Sequence, residues 1–127
     1  MSRKLVLAPV VLEASKSLST AFTTTPTVID FQDNVCYQID ITTSDSTGTF
    51  VVQVSLDYVQ GDANNRAVAG NWIDLTMSGT PIAAAANDDI VISLNQLPYH
   101  AIRLKYTPTI AGTGTAKITI MAKNVGA

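Results

Sequence analysis

This chain of 127 residues has one cysteine, one histidine and one tryptophan, and only 14% of its residues are charged. Each shortage removes a class of function. A lone Cys36 cannot close an intrachain disulfide, so no oxidising compartment is implied. The ordinary role of such a thiol is that of a small hydrophobe in or beside a sheet. One His and one Cys cannot build a zinc site, which takes several such ligands. His100 stands in LPYHAIRLKY, directly before a strand-like stretch, where it reads as a structural residue at a strand entry. Ser55 and Ser93 lie in strand-like stretches, and no GxSxG elbow occurs, so no catalytic triad is expected. The remaining metal option is calcium, held by Asp57, Asp62, Asp88 and Asp89 if their loops met in space. No EF-hand spacing supports it, and Asp in loops is an ordinary turn residue. The sequence therefore predicts no enzyme, no metal and no cofactor.

Nucleic acid and membrane are also poor partners. The net charge is −2, and the eight Lys and Arg are scattered rather than clustered, which leaves no basic footprint for DNA or RNA. No apolar run approaches the roughly 20 residues that cross a bilayer. The opening MSRKLVLAPVVLEASKS has the basic start of a signal peptide, but Pro9 interrupts a short apolar run, and Glu13 and Lys16 follow where small residues would be needed. Residues 1–17 are read as an extended N-terminal arm or first strand. Pro9 has no backbone donor and so suits an edge, which makes Leu5, Val6, Leu7, Val10 and Val11 a candidate docking arm for a neighbouring subunit. Sparse charge has a further consequence. A small domain has much surface per volume, so a charge content well below the ordinary roughly 25% predicts that other subunits cover part of it. A homo-oligomer is expected, a trimer or another closed ring.

What the chain does contain is strand after strand. Val35, Tyr37, Ile39 and Ile41 alternate with polar residues, as do Ile102, Leu104 and Tyr106, then Ala116, Ile118, Ile120 and Ala122. Period-2 alternation marks antiparallel strands with one face on a core. Strands are predicted over residues 4–12, 18–23, 27–31, 35–42, 49–58, 72–77, 89–94, 101–107 and 115–123, between Gly, Pro, Asn, Asp, Ser and Thr clusters. PIAAAAND, residues 81–88, has helix-forming alanines but neither the spacing nor the length for more than one turn. Eight or nine short strands without helices predict an all-β fold: a single antiparallel β-sandwich, jelly roll or Ig-like, over residues 18–127. The predicted core is Tyr37, Ile39, Val52, Val54, Leu56, Ile92, Leu104, Ile118 and Ile120.

One segment breaks the pattern. After the alternation that runs from Phe50 to Tyr58, residues 59–70 form a polar loop containing Gly and Asn before Trp72 resumes the strand. Loops of this length are uncommon in compact domains and are usually functional or mobile. Asp62, Asn64, Asn65, Arg66 and Val68, with Trp72, form a candidate contact loop. It offers hydrogen bonds, one bidentate-capable cation and a small apolar patch, but no base or nucleophile. A sugar could stack on Trp72 and bond to Asp62, Asn64 and Asn65. The competing role of that Trp is to pack over the edge of the core with its indole N–H satisfied.

The stretches QDNVCYQIDIT, GTFVVQVSLDY, GNWIDLTM and IVISLNQLPYHAIRLKYTPTIAGTGTAKITIMAKNVGA together resemble small all-β accessory virion proteins of tailed bacteriophages, of the capsid decoration or head-fibre type. The resemblance covers roughly residues 33–127; residues 1–32 fall outside it. Its recognisable pieces are Phe50, Val52, Val54, Ser55, Asp57 and Tyr58; Trp72 and Leu75; Leu97, Pro98 and Tyr99 leading to Ile102, Arg103, Leu104 and Tyr106; and Gly112 to Thr115. The resemblance implies a virion location and a non-enzymatic protein that binds the capsid lattice at its symmetry axes, often as a trimer, with the major capsid protein or another virion protein as partner. The alternative it leaves open is a receptor- or carbohydrate-binding module of a head or tail fibre, with a sugar receptor as partner.

Overall fold

The computed structural model describes residues 6–29, 34–42, 47–61, 63–64, 66–75, 82–84, 89–94, 99–110 and 112–123. Among them are ten strands and no helix: β1 (Val6–Ser17), β2 (Phe22–Thr23), β3 (Thr27–Val28), β4 (Asn34–Thr42), β5 (Thr47–Ser55), β6 (Ile73–Asp74), β7 (Ile82–Ala84), β8 (Asp89–Leu94), β9 (Ala101–Ile110) and β10 (Thr115–Lys123). They form two antiparallel sheets. One has the order β1-β10-β4-β8; the other has β2-β9-β5-β6, with β3 also on β9 and β7 also on β5. The chain crosses between the sheets repeatedly, so strands adjacent in sequence are seldom adjacent in space. This is the expected β-sandwich.

Alternation decides what lies between the sheets. Val35, Tyr37, Ile39 and Ile41 of β4 meet Ala122, Ile120, Ile118 and Ala116 of β10 in direct cross-strand register, and all eight are buried. Phe50, Val52 and Val54 of β5 sit opposite Tyr106, Leu104 and Ile102 of β9 and supply the other wall. Tyr106 organises one end. Its ring centre lies 4.9 Å from that of Phe50 and 5.3 Å from that of Phe22, and its hydroxyl donates to the Leu18 carbonyl at 3.1 Å. Room for that ring comes from Gly48, where a Cβ would lie 2.6 Å from the tyrosine hydroxyl. Tyr37 is equally buried, but its hydroxyl has no hydrogen-bond partner among the described residues, and burial pushes its pKa up.

Several expectations are corrected. Leu56, placed in the core by its parity with Val52 and Val54, is 71% exposed. β5 ends at Ser55, whose hydroxyl accepts the backbone N–H groups of Asp57 at 3.3 Å and Tyr58 at 3.2 Å, so the chain turns and Leu56 faces out. Within the Ala-rich segment, to which the sequence assigned no strand, Ile82–Ala84 form β7 on Gly48, Thr49 and Phe50 of β5, where an open sheet edge satisfies their backbone; residues 85–88 lie outside the described residues. The predicted strand over 18–23 shrinks to β2, and Leu18 becomes a buried plug whose N–H donates to the Gly114 carbonyl at 2.9 Å.

At the N-terminus, the first-strand alternative describes the backbone. β1 pairs with β10 of its own chain from Val6, opposite Lys123, to Ser17, opposite Thr115. It is an edge strand, and Pro9 falls in an irregular stretch of the register between Leu7 and Val10. Of the candidate docking arm, Val10 and Val11 are exposed, and Leu5 lies outside the described residues.

Candidate functional site

The segment from Leu56 to Trp72 does not hang in solvent. Asp57 fastens its two ends. The carboxylate accepts the Asn71 backbone N–H and the Asn71 Nδ2 amide, both at 2.8 Å, and the Ser55 hydroxyl at 2.9 Å. These donors, the Asn71 N–H first among them, hold the Asp57 pKa below the usual carboxylate range, so it is anionic at neutral pH. Further out, Val59 and Val68 exchange both backbone hydrogen bonds at 2.9 Å as an isolated bridge. Gly70 closes the return with φ of 81°, where a side chain would press on Ser55 and Tyr58.

Trp72 then lies against the outer side of the β5–β9 sheet. Its indole N–H donates to the Ala69 carbonyl at 2.9 Å, its ring centre stands 5.6 Å from that of Tyr58, and the Arg103 guanidinium sits 4.3 Å from the ring centre. Arg103 Nε donates to Gln53 Oε1 at 2.8 Å, and Gln53 Nε2 donates to Asp74 Oδ1 at 2.8 Å. Gln53 is buried, as a side chain with partners on both sides can be. Trp72 is thus a packing residue, over the outer layer of a sheet rather than over the edge of the core. The face toward Arg103 and the indole N–H are both taken, which removes much of what a sugar would use.

Beside this layer, where β5 ends against β6, opens a groove of about 680 Å³. Val54, Leu56, Ile73, Leu75 and Tyr99 make its surface largely apolar, and Asp57 and Asp74 stand at it without a lysine or arginine among the lining residues. Leu56 is 71% and Ile73 69% exposed. Sequence reasoning missed this groove, since it put Leu56 inside and gave Ile73, Asp74 and Tyr99 no role. The signal available was the Ser55, Asp57 pair, a turn signature at the end of an alternating run.

The predicted contact-loop residues separate into three groups. Asn64, Arg66 and Val68 are exposed on the outer part of the loop, with Val68 43% accessible. Trp72 is half-buried at its base, and Asp62 and Asn65 lie outside the described residues. For the calcium option, Asp57 is committed to Asn71 and Ser55, while Asp89 begins β8 in the other sheet, paired with Asp40. No cluster of three or more His, Cys, Asp or Glu able to hold a metal occurs among the described residues. His100 is half-buried at the entry to β9, and its carbonyl accepts the Ile29 N–H at 2.9 Å.

No protein-family model matches the chain, and no curated protein sequence does. Solved structures do. The SPBc2 prophage-derived protein YomS is similar over 98% of this chain and 96% of its own, with a TM-score of 0.52 at 6% sequence identity. A protein of the Bacillus endospore appendages, which form disulfide-linked pili, is similar over 98% of this chain and 89% of its own, with a TM-score of 0.49 at 11% identity. A family two carbohydrate esterase from Cellvibrio japonicus is similar over 99% of this chain but 35% of its own, with a TM-score of 0.40 at 6% identity. At such identities the likeness to YomS is one of fold: the whole chain shares its architecture with a prophage-derived protein.

Proposed function

We propose that this chain is a non-enzymatic structural protein of a phage virion, a decoration protein that stabilises the head by bridging capsid subunits. The observation that carries the reading is the end-to-end likeness to a prophage-derived fold of nearly the same extent. Physical features support it. Leu56, Ile73, Val91 and Ile110 are each at least 60% exposed on a chain of low charge content, which is the surface of a protein that meets other subunits. We read the strand order β1-β10-β4-β8 with β2-β9-β5-β6 as a jelly roll, an architecture common in viral shells. The mechanism is mechanical. Each bridging contact adds buried area, on the order of 1,200–2,000 Å² for a stable interface, that must be broken before the shell opens under internal pressure.

The test is copy number. Mass spectrometry of purified virions is expected to count this chain in the hundreds, whereas a few to a few dozen copies would overturn decoration in favour of a head- or tail-fibre module. A sugar-binding fibre module draws less support from the site, because Trp72 spends its N–H on Ala69 and a ring face on Arg103.

A further inference from the structure

The groove at the β5–β6 end and the tip of the neighbouring loop are complementary in chemistry. The groove presents Leu56 and Ile73, 71% and 69% exposed, beside the carboxylates of Asp57 and Asp74. Asp57 is held anionic by Asn71 and Ser55, and the partner found for Asp74 is the neutral amide of Gln53. Neither carboxylate is neutralised by a cation among the described residues. The loop presents the opposite surface. Arg66 is exposed and makes no ion pair or hydrogen bond with any described residue, and beside it stand the exposed Ala67, Val68 and Ala69. Val68 is held in place by its two backbone bonds to Val59, so the apolar contact is offered by a braced hairpin rather than a free coil.

We infer that the loop tip of one copy of this chain docks into the groove of a second copy, with Arg66 against Asp57 and Asp74 and with Val68 on Leu56 and Ile73. This rests on the reading of the chain as a self-assembling structural protein and names the surface that assembles. Two features favour a second copy over an unrelated partner. The two complementary surfaces belong to one chain, and they are rigidly joined, since Asp57 and Asn71 both line the groove and fasten the loop. Within one chain the two surfaces do not meet: Asp57 is bonded to Asn71 and Ser55, and Asp74 to Gln53, with no ion pair to Arg66 among the described residues. Contacts between unlike patches of identical chains close into a ring when the rotation allows. Opposite charges at the rim then set the register and speed encounter, while the apolar centre supplies the burial.

Sedimentation velocity of the full chain across the micromolar range tests this. The wild type is expected to self-associate, and Arg66→Glu to weaken association at least tenfold, about 1.4 kcal/mol. Leu56→Lys, a change at an exposed side chain that leaves the core untouched, is expected to do the same. Arg66→Glu combined with Asp74→Lys should recover association, since the exchanged charges pair again, with the melting temperature of each variant confirming an intact fold. A wild type that stays monomeric overturns the inference, and so does association that both single variants preserve or that the charge exchange fails to restore. Failure here and failure of the virion reading are separable: a monomer found in hundreds of copies on heads sinks only the loop-in-groove contact, and an oligomer absent from heads sinks only the decoration role.

Discussion

The guanidinium of Arg103 sits 4.3 Å from the centre of the Trp72 ring while its Nε donates to Gln53. One side chain thereby joins the outer loop layer to the second sheet. Arg103 is half-buried, so its cation is partly shielded from water, which strengthens its attraction to the ring and also lowers its pKa. Trp72→Ala is expected to cost about 2 kcal/mol, from the lost contact with the cation and the lost indole burial, in chemical denaturation followed by circular dichroism. The strands should remain, since Trp72 lies outside the core. A loss below a few tenths of a kcal/mol would show that the stack is incidental.

Two buried tyrosines predict opposite outcomes for the same substitution. The Tyr106 hydroxyl donates to the Leu18 carbonyl, so Tyr106→Phe leaves a buried carbonyl short of a donor and is expected to cost about 1 kcal/mol. The Tyr37 hydroxyl is buried without a partner among the described residues. Tyr37→Phe removes a desolvated group that makes no bond and is expected to leave stability unchanged or raise it by up to about 1 kcal/mol. Paired melting curves decide the matter. Equal losses in both variants would mean that the Tyr37 hydroxyl has a bonding role after all.

The alternation that makes the core was legible in the sequence, because inward and outward positions follow from backbone geometry wherever a strand runs straight. Val52, Ile39 and Ile118 are buried as their parity requires. Leu56 shares that parity and is exposed, because the period ends where Ser55 bonds to the N–H groups ahead of it. That is a local hydrogen-bond choice invisible to a count of apolar spacing. β7 was illegible for the opposite reason. Nothing in its alanines favours a strand, and the pairing comes from an edge of β5 brought alongside by the rest of the fold. The groove combined both kinds of information, a turn at Ser55 and a partner strand at Ile73, and so did not emerge from either segment alone.

Acid should loosen the loop before it unfolds the sandwich. Asp57 has its pKa lowered by the Asn71 backbone N–H and then by the Ser55 hydroxyl. A group depressed in the folded state contributes stability that is present above its unfolded value and is lost as pH falls through the folded value. Trp72 is the sole tryptophan and follows Asn71 directly, so its emission reports the fastening. The emission is expected to hold steady down to about pH 4, the ordinary carboxylate value, and to shift below it while far-ultraviolet circular dichroism persists. Asp57→Ala should show the shifted emission already at neutral pH and no acid step. An acid step of the same size in Asp57→Ala would assign the transition to another group.

Truncation separates the two halves of the N-terminal segment. From Val6 to Ser17 the chain covers one side of β10, and Leu12 packs against the core. Removing residues 1–17 bares the backbone donors and acceptors along that side of β10, a strand whose inward residues Ala116, Ile118, Ile120 and Ala122 are all buried. An uncovered strand edge of this length is a template for pairing with another chain. The shortened protein is therefore expected to aggregate or unfold. Removing residues 1–5 alone leaves the whole Val6–Ser17 pairing with β10 in place, so the melting temperature should stay within about 2 °C of the full chain, a change of a few tenths of a kcal/mol. If residues 1–5 also serve as a docking arm, their loss should weaken binding to heads at an unchanged melting temperature. Thermal melts and head-binding assays on the same two truncations distinguish these roles. A soluble, fully folded protein lacking residues 1–17 would show that β1 is dispensable to the sheet and that the segment acts on a partner instead.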